Sequence, residues 1–251
     1  MSDRGVADRP PHPVVIIQAR MNSSRLRGKV LADIAGQTML ARVVRRATRA
    51  STIDQTIVAT TNNPDDDLIA RECERLGVDC IRGAEEDVLD RYYQAAQATH
   101  AAIVVRVTAD CPLIDPELID QVVMALRTSR ADYASNTQTR TFPRGLDVEA
   151  FTRDALERAW REAQEPWQRA HVTPYIYQHP EIFHLQALAG TADHSALRWT
   201  VDTAADLALL REIYRRISEN DGWHAVLALV ERNPELAAIN RHVTQKPLEE
   251  G

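Results

Sequence analysis

At 251 residues, 44% of them hydrophobic, the chain is long enough to bury roughly 70 to 75% of its unfolded surface, in one sizeable core with a minor lobe. A formal net charge of -6, with both signs interspersed, argues against nucleic acid as a partner, so any basic site must be local. Three cysteines, Cys73, Cys80 and Cys111, form no CxxC pair and are too few for a disulfide framework, which fits a reducing, cytoplasmic setting.

The opening MSDRGVADRPPHP lacks the apolar stretch of a secretion signal, and no later segment approaches the roughly 20 apolar residues that span a bilayer. Residues 1–13 and 241–251 are therefore expected to be tails on a domain covering 14–240. The β-branched run 14–17 predicts a strand that breaks off into the polar, basic stretch QARMNSSRLRGK. Residues 38–50 follow as a helix with Leu40, Val43, Val44 and Ala47 on one face, and Arg42, Arg45, Arg46 and Arg49 expected toward solvent. Strands at 56–61, 78–82 and 102–108 then alternate with helices at 65–76, 86–99 and 116–126. Such alternation requires parallel crossovers and predicts a three-layer α/β/α sandwich around a mostly parallel sheet.

From Asp132 the rhythm changes to a short DYASN segment, a Pro-Arg-Gly turn, a strand LDVEAF, a helix at 153–164 and a loop EPWQRAHVTP. Residues 132–180 are expected to form a small appended lobe. Its aromatic residues, Phe142, Trp160, Trp167, Tyr175 and Tyr177, are expected to make a homodimer contact or to pack within the monomer. A strand LRWTVD and helices at 204–217 and 223–231 complete the pattern.

In open α/β sheets ligands bind beyond the carboxyl ends of the strands, which singles out three segments. RMNSSRLRGK sets Arg20, Arg25, Arg27 and Lys29 beside Ser23, Ser24 and Gly28, a mixture of cations, hydroxyls and open backbone suited to an oligophosphate, although a solvated basic loop would read the same. Ser23 stands where a Walker loop needs glycine, Val30 stands where it needs Ser or Thr, and GxGxxG is absent. In VVRVTADCPLIDP, Asp110 follows a strand read as apolar throughout and either binds a metal or caps the turn, whereas Asp115 before Pro116 reads as a helix N-cap. In RWTVDTAAD, Thr203 and Asp206 resemble a capping box, leaving Asp202 without a structural duty. Two carboxylates from separate strand ends match the preference of Mg²⁺ for one or two protein carboxylates, completed by waters and phosphate oxygens. Asp147 and Glu149, two apart on one strand, share a face that could read hydroxyls or an amine, or could be a solvent edge. His171 has no paired-ligand spacing, which argues against zinc.

Together IIQARMNSSRLRGKVL, VATT, RGAEEDVLDRYYQAA, VRVTADCPLIDP, DYASN, FPRGLDVEAF, HVTPYI and RWTVDTAADL resemble the cytidylyltransferase family over 14–214. The likeness is to the branch named after spore-coat polysaccharide biosynthesis protein F, related to the CMP-sialic acid and CMP-octulosonate synthetases. The resemblance implies a nucleotide-diphospho-sugar transferase fold. It also implies transfer of CMP from CTP to a small acidic sugar, with release of pyrophosphate, in polysaccharide or surface-glycan precursor synthesis. By the same resemblance Ala19, Arg20, Ser24, Arg25, Lys29, Arg91 and Asp110 fall at the nucleotide, Arg20, Lys29, Asp110 and Asp202 are catalytic, and Asp110 and Asp202 hold Mg²⁺. Arg144, Asp147, Glu149 and His171 fall on the acceptor side. Two positions depart from the family pattern: Arg27 replaces a usual Pro, and Ala170 replaces a usual Glu. A glycosyltransferase on the same fold, or a nucleotide-binding protein without turnover, are the alternatives.

Overall fold

The structure, a computed structural model, describes residues 12–245. The expected tails thus lie largely outside the described residues, and Pro13 already opens the first strand. That strand, β1 (Pro13–Gln18), is followed by a small hairpin of β2 (Asp33–Ile34) and β3 (Gln37–Thr38), then α1 (Met39–Ala47). The alternating units are β4 (Gln55–Thr61), α2 (Asp67–Leu76), β5 (Asp79–Gly83), α3 (Val88–Ala98), β6 (Ile103–Thr108) and α4 (Pro116–Ser129). Then come β7 (Tyr133–Ser135), β8 (Glu149–Thr152), α5 (Arg153–Glu162), α6 (Pro166–His171), α7 (Pro174–Tyr177) and β9 (Leu185–Ala187). Helices α8 (Ala204–Tyr214), α9 (Trp223–Arg232) and α10 (Pro234–Ala238) close the chain.

The main sheet has the order β5-β4-β1-β6-β8-β7-β9. β5, β4, β1 and β6 run parallel, while β8 is antiparallel to both β6 and β7. Strand β1 is buried on both faces, and its alternation sorts the core into two layers. Val15 and Ile17 pack with α1, α2, α4, α8 and α9, and Val14 and Ile16 pack with α3, α5 and α7. The chain leaves β1 for β4 on one side and returns through β6 on the other, so a topological switch point opens between the ends of β1 and β6.

Several expectations are corrected by packing. Arg42 and Arg46 do not face solvent; they are 6% and 1% exposed. Arg42 donates to the carbonyls of Ile34 and Ala35, reaches Glu219 and lies over the Tyr214 ring at 4.4 Å. Arg46 donates to the carbonyls of Ile114 at 2.7 Å and Asp221 at 2.9 Å. Loops from both sides cover α1, and the guanidinium groups supply donors to carbonyls that would otherwise be buried unmet.

Residues 132–180 add β7 and β8 to the main sheet and α5 to α7 to one of its faces, instead of standing apart as a lobe. Four of the five aromatics pack within the chain: Trp160 stacks on Tyr93 at 4.1 Å, Phe142 meets Trp223 edge-on, and Tyr175 and Tyr177 lie against the core. The expected loop EPWQRAHVTP contains α6 and ends on the first residue of α7, each helix opened by a proline in its first turn. LRWTVD is not a strand. It touches the 144 region through one bridge between Arg144 and Arg198, and its Val201 N–H goes to the Asp110 carbonyl. Strand β6 is not apolar throughout, since it carries Arg106, whose side chain is 16% exposed and reaches the cleft. β8 begins at Glu149, which leaves Asp147 ahead of the strand.

Arg46→Met should lower stability by about 2 to 3 kcal/mol, because two carbonyls lose their donor inside the core, while Arg45→Met should change it by about 0.5 kcal/mol or less. Urea unfolding of the two variants checks this; equal effects would contradict the packing of α1.

Candidate active site

At the end of β1 the Ala19 N–H continues the ladder to the Ala59 carbonyl, and the chain then folds back on itself. The Ser23 and Gly28 N–H groups both donate to the Met21 carbonyl, at 3.0 and 2.9 Å, closing residues 21–28 into a hoop. Gly28 sits at φ 72, a left-handed conformation that a side chain would strain, and this turn starts the short 3₁₀ segment Lys29–Leu31. The base of the hoop is tied to the end of β4 by buried Asp66, which accepts from the Met21 N–H at 2.8 Å and from the Thr61 N–H and hydroxyl.

The hoop delivers Lys29 into the switch point. Its ammonium donates to Asp110 Oδ2 at 2.9 Å, Asp202 Oδ1 at 2.8 Å and the Val201 carbonyl at 2.7 Å, so all three of its hydrogens are used. Burial works against the charged form of Lys29, but the two carboxylates outweigh it and raise its pKa. For Asp110 burial pushes the pKa up, while the Lys29 charge and the hydrogen bonds of Thr108, Lys29 and Cys111 carry it down to about 2. Asp110 is therefore ionised across the neutral range.

Asp202 is held from the other side by Arg25 at 2.8 Å and Arg198 at 2.6 Å. Behind it the capping box of α8 forms as expected. The Asp206 carboxylate accepts from the Asp202 and Thr203 N–H groups at 3.0 and 2.9 Å, and Arg198 and Asn240 satisfy its other oxygen. Asp202 thus keeps its carboxylate free of the cap. Asp115 also acts as the expected N-cap, accepting from the Glu117 N–H.

A cleft of about 660 Å³ adjoins this cluster, with Asp110 and Asp202 in one wall and Arg144, Asp147, Glu149 and His171 in the rest of its lining. Asp147 takes a two-pronged contact from Arg140, at 2.6 and 3.1 Å. Glu149 is consumed by a buried network: one oxygen accepts from Tyr133 and Thr173, both at 2.6 Å, and the other pairs with Arg106. It shapes the floor of the cleft more than it offers a free acceptor.

A family model described as cytidylyltransferase matches residues 14–217. The chain belongs to the cytidylyltransferase family. It is accordingly a nucleotidyltransferase that uses CTP. The spore coat polysaccharide biosynthesis protein SpsF of Bacillus subtilis is 32% identical over 88% of this chain and 95% of its own. A 3-deoxy-manno-octulosonate cytidylyltransferase of Anaeromyxobacter sp. (strain K) is 36% identical over 66% of this chain and 73% of its own. A solved cytidylyltransferase structure from Leptospira borgpetersenii superposes with a TM-score of 0.87 at 30% identity, covering 94% of this chain and 99% of that one.

Of the residues expected at the nucleotide and metal, Arg25, Lys29, Asp110 and Asp202 meet in one cluster. Ser24 and Arg20 lie exposed on the hoop, and Ala19 is buried at its root. Arg91 is buried in α3, where one nitrogen donates to the carbonyls of Ala84 and Glu85 at 2.5 and 3.0 Å. Arg27 turns outward and pairs with Asp65 at 2.6 Å, so its departure from the family pattern ties down the hoop's outer edge. The Arg106 network was foreshadowed by one signal, a charge inside an otherwise apolar strand. The contact of Asp66 with the Met21 N–H has no such mark, because the two are 45 residues apart, whereas Arg198 meets Asp202 and Asp206 only four and eight residues on.

The donor set fits a hard divalent ion, since the shared contact with Lys29 sets the carboxylates of Asp110 and Asp202 side by side. Among the described residues no group of three or more His, Cys, Asp or Glu could hold a metal, so water and phosphate oxygens would have to complete its shell.

Lys29 is the cation paired with Asp110, whereas Asp202 also has Arg25 and Arg198. Lys29→Met should therefore destabilise the fold by about 3 kcal/mol, and adding Asp110→Asn should recover a large part of that loss. Urea unfolding of the single and double variants decides; strictly additive losses would argue against a shared charge pair.

Proposed function

We propose that this enzyme transfers CMP from CTP to a small acidic sugar of the ulosonic-acid type, releasing pyrophosphate, and so prepares a precursor for a polysaccharide or other surface glycan. The observation that carries the reading is the meeting of Lys29, Asp110 and Asp202 beside a cleft whose volume, about 660 Å³, suits a small molecule. The names of the octulosonate cytidylyltransferase and spore-coat relatives support the acceptor class.

In this mechanism the triphosphate lies along the hoop, where Arg20, Ser24 and the backbone of 21–28 face it. The acceptor occupies the adjoining cleft, lined by Arg144, Asp147, Glu149 and His171. An acceptor hydroxyl attacks the α-phosphorus in line; a new P–O bond forms as the bond to the β-phosphate bridge breaks, the electron pair leaves on pyrophosphate, and the hydroxyl proton passes to water. Asp110 and Asp202 would hold Mg²⁺, which supplies positive charge against the phosphate oxygens. Lys29 holds the two carboxylates side by side. Arg25, at the junction of hoop and cleft, is placed to exchange Asp202 for a phosphate oxygen.

Pyrophosphate release from CTP with a panel of ulosonic acids, neutral sugars and phosphonates tests the reaction. Asp110→Asn and Asp202→Asn should each raise the Mg²⁺ needed for half of the residual rate by about 10-fold or more, and the double variant should lose far less than the product of the single losses. Multiplicative losses at an unchanged Mg²⁺ midpoint would exclude a shared ion.

A further inference from the structure

The cleft contains four arginines, and three of them are already answered by acids. Arg25 pairs with Asp202 at 2.8 Å, Arg140 pairs with Asp147 at 2.6 Å, and Arg106 pairs with Glu149. Arg144 differs: among the described residues its guanidinium makes no hydrogen bond and no ion pair, although it is half-buried in the same lining. Burial and the neighbouring charges of Arg140 and Arg198 hold its pKa below the ordinary arginine value, against the opposing pull of Asp147 and Asp202. A cation beside two others is costly, and no acid of the described residues meets it directly.

The backbone explains why. The Arg144 N–H donates to the Leu197 carbonyl at 2.9 Å, and its carbonyl accepts from the Trp199 N–H at 2.6 Å. The next residue, Gly145, sits at φ 105, and a Cβ there would lie 2.5 Å from Thr200 N and 2.6 Å from the Trp199 carbonyl carbon. The turn is pressed so closely onto 197–200 that it cannot swing away to find Arg144 a partner. It also fixes Arg144 against the segment that carries Asp202.

We propose that Arg144 is the anion receptor of the acceptor site, taking a carboxylate or phosphate group of the acceptor in a two-pronged contact. The proposal rests on the acidic-acceptor reading above and names the residue that reads the acid. A planar guanidinium matches a carboxylate or phosphate edge with two parallel N–H bonds, which a lysine cannot reproduce. The acids beside it are already occupied, Asp147 by Arg140 and Glu149 by its own network, so Arg144 is the charge in this lining that remains to be answered. Acceptor choice then depends first on the presence of an anionic group.

The test uses 3-deoxy-manno-octulosonate, its carboxamide and inorganic phosphate as probes, with the wild type, Arg144→Met and Arg144→Lys. In the pyrophosphate-release assay the wild type should prefer the acid over the amide by about 10²-fold in kcat/KM. Arg144→Met should abolish that preference, mainly through the KM for the acid, while the KM for CTP moves less than about threefold; Arg144→Lys should restore only part. A raised KM for CTP with the acid preference intact would assign Arg144 to the triphosphate, and equal losses on acid and amide would reduce it to a structural role; both overturn the proposal. If the wild type turns over none of the probes, the acceptor reading fails and calorimetric binding decides the subsite by itself. Octulosonate or phosphate binding that weakens about 10-fold or more in Arg144→Met supports it, and binding that is absent in the wild type or unchanged in the variant overturns it.

Discussion

Three stretches of chain far apart in sequence are held together by the Lys29 ammonium: the hoop after β1, the turn after β6 and the segment before α8. A buried ammonium is tolerable only when its donors are met, and here two carboxylates and one carbonyl meet all three. Each partner in turn depends on Lys29. Asp110 stays ionised because that charge and the hydrogen bonds around it outweigh its burial, and the residue that follows the hoop is anchored in the switch point.

The sheet's order determines what can face that contact. Parallel β1 and β6 bring Gln18 and Thr108 to the same edge, and antiparallel β8 brings its first residue, Glu149, there as well. Reversing one strand thus places an acid at an edge otherwise built from strand carboxyl ends. Glu149 then organises Arg106, Tyr133 and Thr173 into a satisfied buried network, a rigid floor from which the cleft opens.

Arginine burial recurs throughout the structure. Arg42 and Arg46 under α1, Arg91 in α3 and Arg106 in β6 all supply donors to loop carbonyls or to one acid that the fold would otherwise bury alone. Helical periodicity sorts residues by polarity, and on that basis assigns Arg42 and Arg46 to solvent. Their long apolar stems and five donors let them serve as core residues wherever carbonyls point inward.

The sequence by itself determined the layered architecture, because β-branched runs alternating with amphipathic helices admit few arrangements other than parallel crossovers. It also determined the caps at Asp115 and at Thr203 with Asp206, since capping is a local interaction among neighbours. Asp110 and Asp202 could be singled out as acids at the ends of presumed strands, and Lys29 as the end of a basic loop. Their meeting was decided only by the tertiary structure, which also turned LRWTVD from a strand into a bridge and absorbed 132–180 into the main sheet. Partners separated by 81 and 173 residues leave no periodic trace in a chain. The same holds for the unanswered charge of Arg144, because whether a cation has found its acid is settled by where the backbone permits it to point.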